Sequence, residues 1–246
     1  MSLEFLQVDG ASGAPPARSP MERLAVAAGG RIESRDGWNV VVDYGDPDGE
    51  AMACAESVAW IDVSSLGKLE VQASAEDLAA VAAAGGAALE LGRATRAAGA
   101  WWCPVTSTRM VVICEAGDTA ALRGRLLDAA AETAERVSVV DVSTVRAALT
   151  LAGPLARETF ARFCALDLRP DVTPVGALRP GSIARQPGIL IREAEHRYLF
   201  LFGWALGEYM WSTVSDAAVH LGGRAAGVDA LEPLGELAAI EEGAGA

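Results

Sequence analysis

The chain has 246 residues, with 20 basic and 33 acidic side chains, a net charge of −13 and a hydrophobic content of 51%. This is the composition of a globular protein able to bury a sizeable core, and it excludes the disordered and fibrous classes. The acidic balance argues against nucleic acid and anionic membrane as partners, because it offers no basic patch to neutralise phosphates.

No signal-peptide pattern opens the chain, and the longest apolar stretches, such as residues 198–206, are under half a membrane span. The four cysteines, Cys54, Cys103, Cys114 and Cys164, are scattered without a C-x-x-C pair, and only His196 and His220 accompany them. They read as reduced thiols of a cytoplasmic protein rather than as a disulfide or metal set.

In chain order, residues 1–19 read as a flexible lead-in, small and Gly/Pro-rich from residue 10 on. Ser19-Pro20 opens a helix that carries Met21, Leu24, Ala25 and Ala28 on one face and stops at Gly29-Gly30. Residues 38–44 form a strand, 45–49 a turn and 50–57 a short helix. The folded domain is expected over 20–231, followed by an acidic tail, 232–246, that frays.

Inside that domain the chain repeats itself, in segments of about 58–136 and 137–221. Asp62-Val63-Ser64 is answered by Asp141-Val142-Ser143, and each precedes an alternating strand, Leu69 to Ala73 in one and Leu149 to Gly153 in the other. A helix follows each strand, near residues 75–84 and 155–164. Next come two hairpins, 101–104 with 110–114 and 188–192 with 198–202, and each runs into a helix with an apolar stripe. The expected product is an α+β fold of duplicated strand-helix-strand-strand-helix halves related by a pseudo-twofold axis.

No P-loop, no Gly-x-Ser-x-Gly elbow and no dinucleotide fingerprint is present. His196 sits in a charged turn and His220 near a helix C-terminus, both plain surface positions. Asp62, Ser64, Asp141 and Ser143 read as turn-setting residues, the Asp carboxylates accepting nearby amides. The clustered aromatics Trp101-Trp102 and Trp204, Tyr209 and Trp211 suit core packing first, and a flat pocket or partner anchor second.

Gly37-Trp38, Tyr44 and the run Ile61-Asp62-Val63-Ser64-Ser65-Leu66-Gly67-Lys68-Leu69 resemble the opening signature of the aminomethyltransferase (glycine cleavage T-protein) superfamily. The second half resembles the gamma subunit of heterotetrameric sarcosine oxidase, through Val140-Asp141-Val142-Ser143, Gly153-Pro154-Leu155-Ala156-Arg157 and Cys164-Ala165-Leu166-Asp167-Leu168-Arg169-Pro170. The resemblance spans about residues 19–231 and implies a T-protein-like folate-binding domain with tetrahydrofolate in a central pocket.

The chain departs from the T-protein pattern in three places. Residues 99–104 carry no carboxylate where the family has its catalytic Asp. Ile191-Arg192-Glu193-Ala194-Glu195 stands in place of the Tyr-Thr-Gly-Glu-x-Gly segment that supplies a pterin-binding Glu. The family's C-terminal barrel is not expected after Leu231.

The implied function is a non-catalytic accessory subunit of a folate-linked, sarcosine oxidase-like amine-oxidising complex, with the other oxidase subunits as partners. A free-standing folate-dependent aminomethyltransferase or folate-binding protein is the alternative. No catalytic residue and no metal ligand is assigned. Trp101, Trp102, Arg192 and Tyr198 are expected to build the folate wall, with weak or absent folate binding and no aminomethyltransferase turnover by the isolated chain.

Overall fold

The computed structural model describes residues 15–133 and 136–231, so the segments expected to be a flexible lead-in and a fraying tail lie mostly or wholly outside the described residues. The first part of the chain forms α1 (Glu22–Ala27), a hairpin of β1 (Arg31–Arg35) and β2 (Trp38–Asp43), and α2 (Pro47–Glu56). Asp46 caps α2 by accepting the Gly49 amide at 3.2 Å, with Pro47 at the first helical position.

The first half continues through β3 (Ala59–Asp62), β4 (Gly67–Gln72), α3 (Ala75–Ala84), β5 (Thr95–Ala97), β6 (Ala100–Thr106), β7 (Arg109–Cys114) and α4 (Thr119–Ala131). The second repeats that order with β8 (Ser138–Asp141), β9 (Arg146–Ala152), α5 (Ala156–Phe160), β10 (Leu178–Ile183), β11 (Gln186–Ala194), β12 (Arg197–Gly203) and α6 (Gly207–Val219). A two-residue strand, β13 (Arg224–Ala225), follows.

The fold is α+β with duplicated halves. Each half carries two strands more than the periodicity suggested. The edge strands β5 and β10 were hidden, β10 because Pro180 and Gly181 interrupt its pattern. An edge position tolerates the missing proline N–H. The helix expected near 155–164 stops at Phe160, because the chain then turns so that Cys164 bridges Ile183.

The sheets have the orders β5-β6-β7-β4-β8 and β10-β11-β12-β9-β3-β13. Each Asp-Val-Ser strand therefore pairs with the other half. Asp62 of β3 stands opposite Leu149 of β9, and Asp141 of β8 opposite Leu69 of β4.

Strand alternation divides the core into three layers. Leu149 and Leu151 of β9 and Tyr198, Phe200 and Phe202 of β12 face α1, α5 and α6. Leu69, Trp102, Met110 and Val112 face α3 and α4. Ala148, Ile189, Ile191, Leu199 and Leu201 meet Cys103, Val111 and Ile113 between the sheets. The order of layers is thus helices, sheet, sheet, helices. No helix among the described residues is long and apolar enough to cross a membrane.

The crossover between the halves is locked by two matching turns. The Ser64 amide donates to Asp62 Oδ1 at 3.0 Å, and the Ser143 amide to Asp141 Oδ1 at 2.9 Å. Val63 N–H then donates to the Ala148 carbonyl at 3.1 Å, and Val142 N–H to the Lys68 carbonyl at 2.8 Å. The serine hydroxyls complete the symmetry by accepting the Ala148 and Lys68 amides at 3.2 and 3.0 Å.

Lys68 breaks the symmetry. Its side chain is fully buried, and Nζ donates to the carbonyls of both turns, Ser64 at 2.8 Å and Ser143 at 3.2 Å. Burial pulls its ammonium down from 10.5 to about 8, against the pull of Asp62 and Asp141. Asp62 is itself buried and also accepts the Ser19 hydroxyl; burial pushes its carboxyl up.

Asp62→Ala should cost about 1–3 kcal/mol in thermal or urea melts, because it orphans buried donors. Asp141→Ala should cost less, since Asp141 is exposed. For Lys68 the folded pKa is depressed, so between about pH 8 and 10.5 the unfolded chain holds a proton that the folded chain has released. Stability should therefore rise with pH across that window, with the cost of the buried cation present in full below it. Melts of Lys68→Met, compared with the parent over the same range, should lack the rise.

Candidate functional site

The layer between the sheets opens at one end into a cavity of about 460 Å³. Its wall draws on both halves and the N-terminal hairpin: Arg35 of β1, Leu66 after β3, Arg96 of β5, Thr150 of β9, Glu193 of β11 and Arg197 of β12. Such a volume is within the range of small-molecule pockets.

Glu193 is the chemical centre of the wall. Ile189, Ile191 and Glu193 fall on one face of β11, so the last of the three brings a carboxylate to the end of the apolar inter-sheet layer. Trp101 Nε1 donates to its Oε1 at 3.1 Å, and Arg197 Nε lies 3.3 Å from its Oε2. The Glu193 side chain is only 13% exposed. Burial pushes its carboxyl up, and the positive charge of Arg197 together with the Trp101 hydrogen bond offsets this only in part. The Arg96 guanidinium lies over the Trp101 ring, 5.3 Å from its centroid.

Of the four residues expected to build the wall, Trp101 alone comes to its edge, touching the lining residues Glu193 and Arg96. Trp102 is its neighbour on β6 and points the opposite way, 1% exposed in the core beneath α3 and α4, with Nε1 donating to the Ala97 carbonyl at 3.1 Å. Arg192 is turned away from Glu193 for the same reason. Its guanidinium donates to the Thr173 and Glu195 carbonyls, both at 2.8 Å, and covers the Tyr198 ring. Tyr198 faces Arg192 across the β11–β12 ladder and packs on Phe160 at 5.6 Å in the helix-side core. Trp102, Arg192 and Tyr198 thus lie outside the lining of this cavity, because successive side chains on a strand alternate faces.

The wall of this cavity does carry a carboxylate, that of Glu193. Sequence reasoning missed Glu193, Arg35, Arg96 and Arg197. A usable signal for Glu193 was its place two residues beyond Ile191, continuing the inward alternation. Asp62, Ser64, Asp141 and Ser143 lie in the paired turns described above. His196 is exposed in the β11–β12 turn, and Cys54, Cys103, Cys114 and Cys164 are all unpaired.

The model of the GCVT N-terminal domain matches residues 21–235. The chain belongs to this family. Two solved structures share the fold of this family member. A chain of the heterotetrameric sarcosine oxidase from Corynebacterium sp. U-96 matches with a TM-score of 0.65 at 23% identity, covering 83% of this chain and 95% of that one. The glycine cleavage system aminomethyltransferase T from Bartonella henselae matches with a TM-score of 0.72 at 16% identity, covering 87% of this chain and 60% of that one. The chain thus spans nearly all of the oxidase chain and about three-fifths of the transferase. No curated protein sequence matches it. The fold is the aminomethyltransferase-like, folate-binding one.

Glu193→Gln keeps an acceptor for Trp101 and removes the buried charge. Because the folded carboxyl titrates above its ordinary value of 4.5, the unfolded chain loses that proton first, and ionisation destabilises the fold as pH rises through the folded value. The variant should therefore melt higher than the parent at neutral pH, with the gain vanishing at acid pH.

Proposed function

We propose that the chain holds a reduced folate in the inter-sheet cavity and serves as a non-catalytic accessory subunit of a folate-linked amine-oxidising complex. The observation that carries this reading is the Glu193 carboxylate, positioned by Trp101 and Arg197 at the wall of the cavity. A pterin presents adjacent N–H donors on one edge, and a carboxylate in a dry site accepts them as charge-assisted hydrogen bonds. Arg96 supplies a cation for the carboxylates of a folate's glutamate tail, whereas Arg35 is paired with Glu33 and Asp229. The residues present therefore fit the group. Bound there, a reduced folate would accept a one-carbon unit.

Two observations support the accessory role. Strand β6, which faces Glu193, carries no carboxylate to stabilise a cation developing during methylene transfer. The shared fold with a chain of a heterotetrameric sarcosine oxidase is the second. The pull on Glu193 favours one second reading, a free-standing folate-dependent aminomethyltransferase. A carboxyl whose pKa burial raises holds its proton to higher pH than an ordinary one, as a proton-transferring group needs.

Titration of tetrahydrofolate into the chain should quench tryptophan fluorescence through Trp101, and Glu193→Gln should weaken binding by about tenfold or more. Binding unaffected by that change would remove Glu193 from the site. Assay with a lipoyl-linked aminomethyl donor and tetrahydrofolate should give no turnover by the chain alone. Turnover abolished in Glu193→Gln would establish the transferase reading. Purification from native cells should bring down a flavin-bearing partner if the accessory role is right, and a lone chain would count against it.

A further inference from the structure

The seam between the two sheets opens at its other end too. Arg146 precedes Thr150 by four residues on β9, and Ile189 precedes Glu193 by four on β11, so this second opening lies about 13 Å along the strands from the cavity. It is a groove of about 710 Å³ between the β6–β7 hairpin and the β10–β11 hairpin, with Arg109, Arg146 and Arg185 as its only charged lining residues.

An all-cationic groove is unexpected in a chain with 33 acidic and 20 basic residues. Arg109 and Arg185 have no carboxylate partner among the described residues, and Arg109 Nε is buried without a hydrogen bond. Arg146 reaches one carboxylate, Glu70, at 3.4 Å. Arg185 projects from the tip of the β10–β11 turn, where its φ is +63°. Between the cations the walls are apolar, from Val105, Pro180, Pro187 and Ile189.

We propose that this groove is the docking site of the chain's own C-terminal segment, residues 232–246. That segment holds Glu232, Glu236, Glu241 and Glu242 with no lysine or arginine, and it interleaves Leu234, Leu237 and Ile240. Its charge and its apolar residues complement the groove. Reach is sufficient. Leu231 lines the cavity at the near end of the seam, and 15 further residues extend to about 50 Å. Single exposed Arg–Glu pairs are weak, but several on a tethered segment act together, because tethering replaces a bimolecular encounter by an effective concentration. The docked tail would neutralise the three arginines and cover the apolar walls.

Hydrogen–deuterium exchange of the full chain tests this. Peptides from residues 232–246 should exchange about tenfold or more slowly than a synthetic peptide of the same sequence free in solution. Arg185→Glu, an exposed turn substitution, should return them to the free rate, as should high salt. Glu241→Gln with Glu242→Gln, which leaves the domain untouched, should do the same in part. Three results would each overturn the proposal: free-rate exchange in the parent chain, protection unchanged by Arg185→Glu and by the tail variant, or protection that falls on dilution. The last would mean that the tail occupies a second copy.

Discussion

Neither half of this protein can complete a sheet without the other. Each sends its Asp-Val-Ser strand across the pseudo-twofold axis, so β3 lies beside β9 and β8 beside β4. The two turns that end those strands meet at the axis, and Lys68 ties their carbonyls together from a fully buried position. A buried ammonium is costly unless its donors are satisfied. Here two carbonyls and the field of two nearby carboxylates offset part of that cost, and they do so only in this one arrangement of the halves. A slip of either strand by one residue would turn its inward side chains outward and leave Lys68 without partners.

That arrangement creates the inter-sheet layer, and the layer creates the site. Outward residues of β9 and β12 are large and aromatic and meet helices, whereas the inward ones are smaller. Close packing holds through the middle of the seam and gives way at its ends, at a cavity beside Glu193 and at a groove beside Arg109. The sheet rigidity that positions Glu193 also denies it water. Trp101 and Arg197 compensate incompletely, which is why its carboxyl is pushed upward rather than down. A group held at such a cost to stability is what functional sites commonly contain.

The sequence by itself determined the strand-helix-strand-strand-helix core of each half, the duplication, the two long hairpins and the turn-setting role of the two Asp-x-Ser motifs. Those features are local: a period of two or 3.6, a proline or glycine at a boundary, an Asp two residues before an amide. The edge strands were not legible, because β10 carries Pro180 and Gly181 and takes its strand conformation from its neighbour rather than from propensity. Tertiary structure alone decided which half each Asp-Val-Ser strand joins, since nothing in four residues of β3 encodes a partner 90 residues away. It also decided the site. Trp101 and Glu193 are 92 residues apart in the chain and belong to different sheets, and they meet only because the sheets stack face to face. Trp102 and Arg192, adjacent to them in sequence and chemically plausible as pocket residues, point the opposite way because successive side chains on a strand alternate faces.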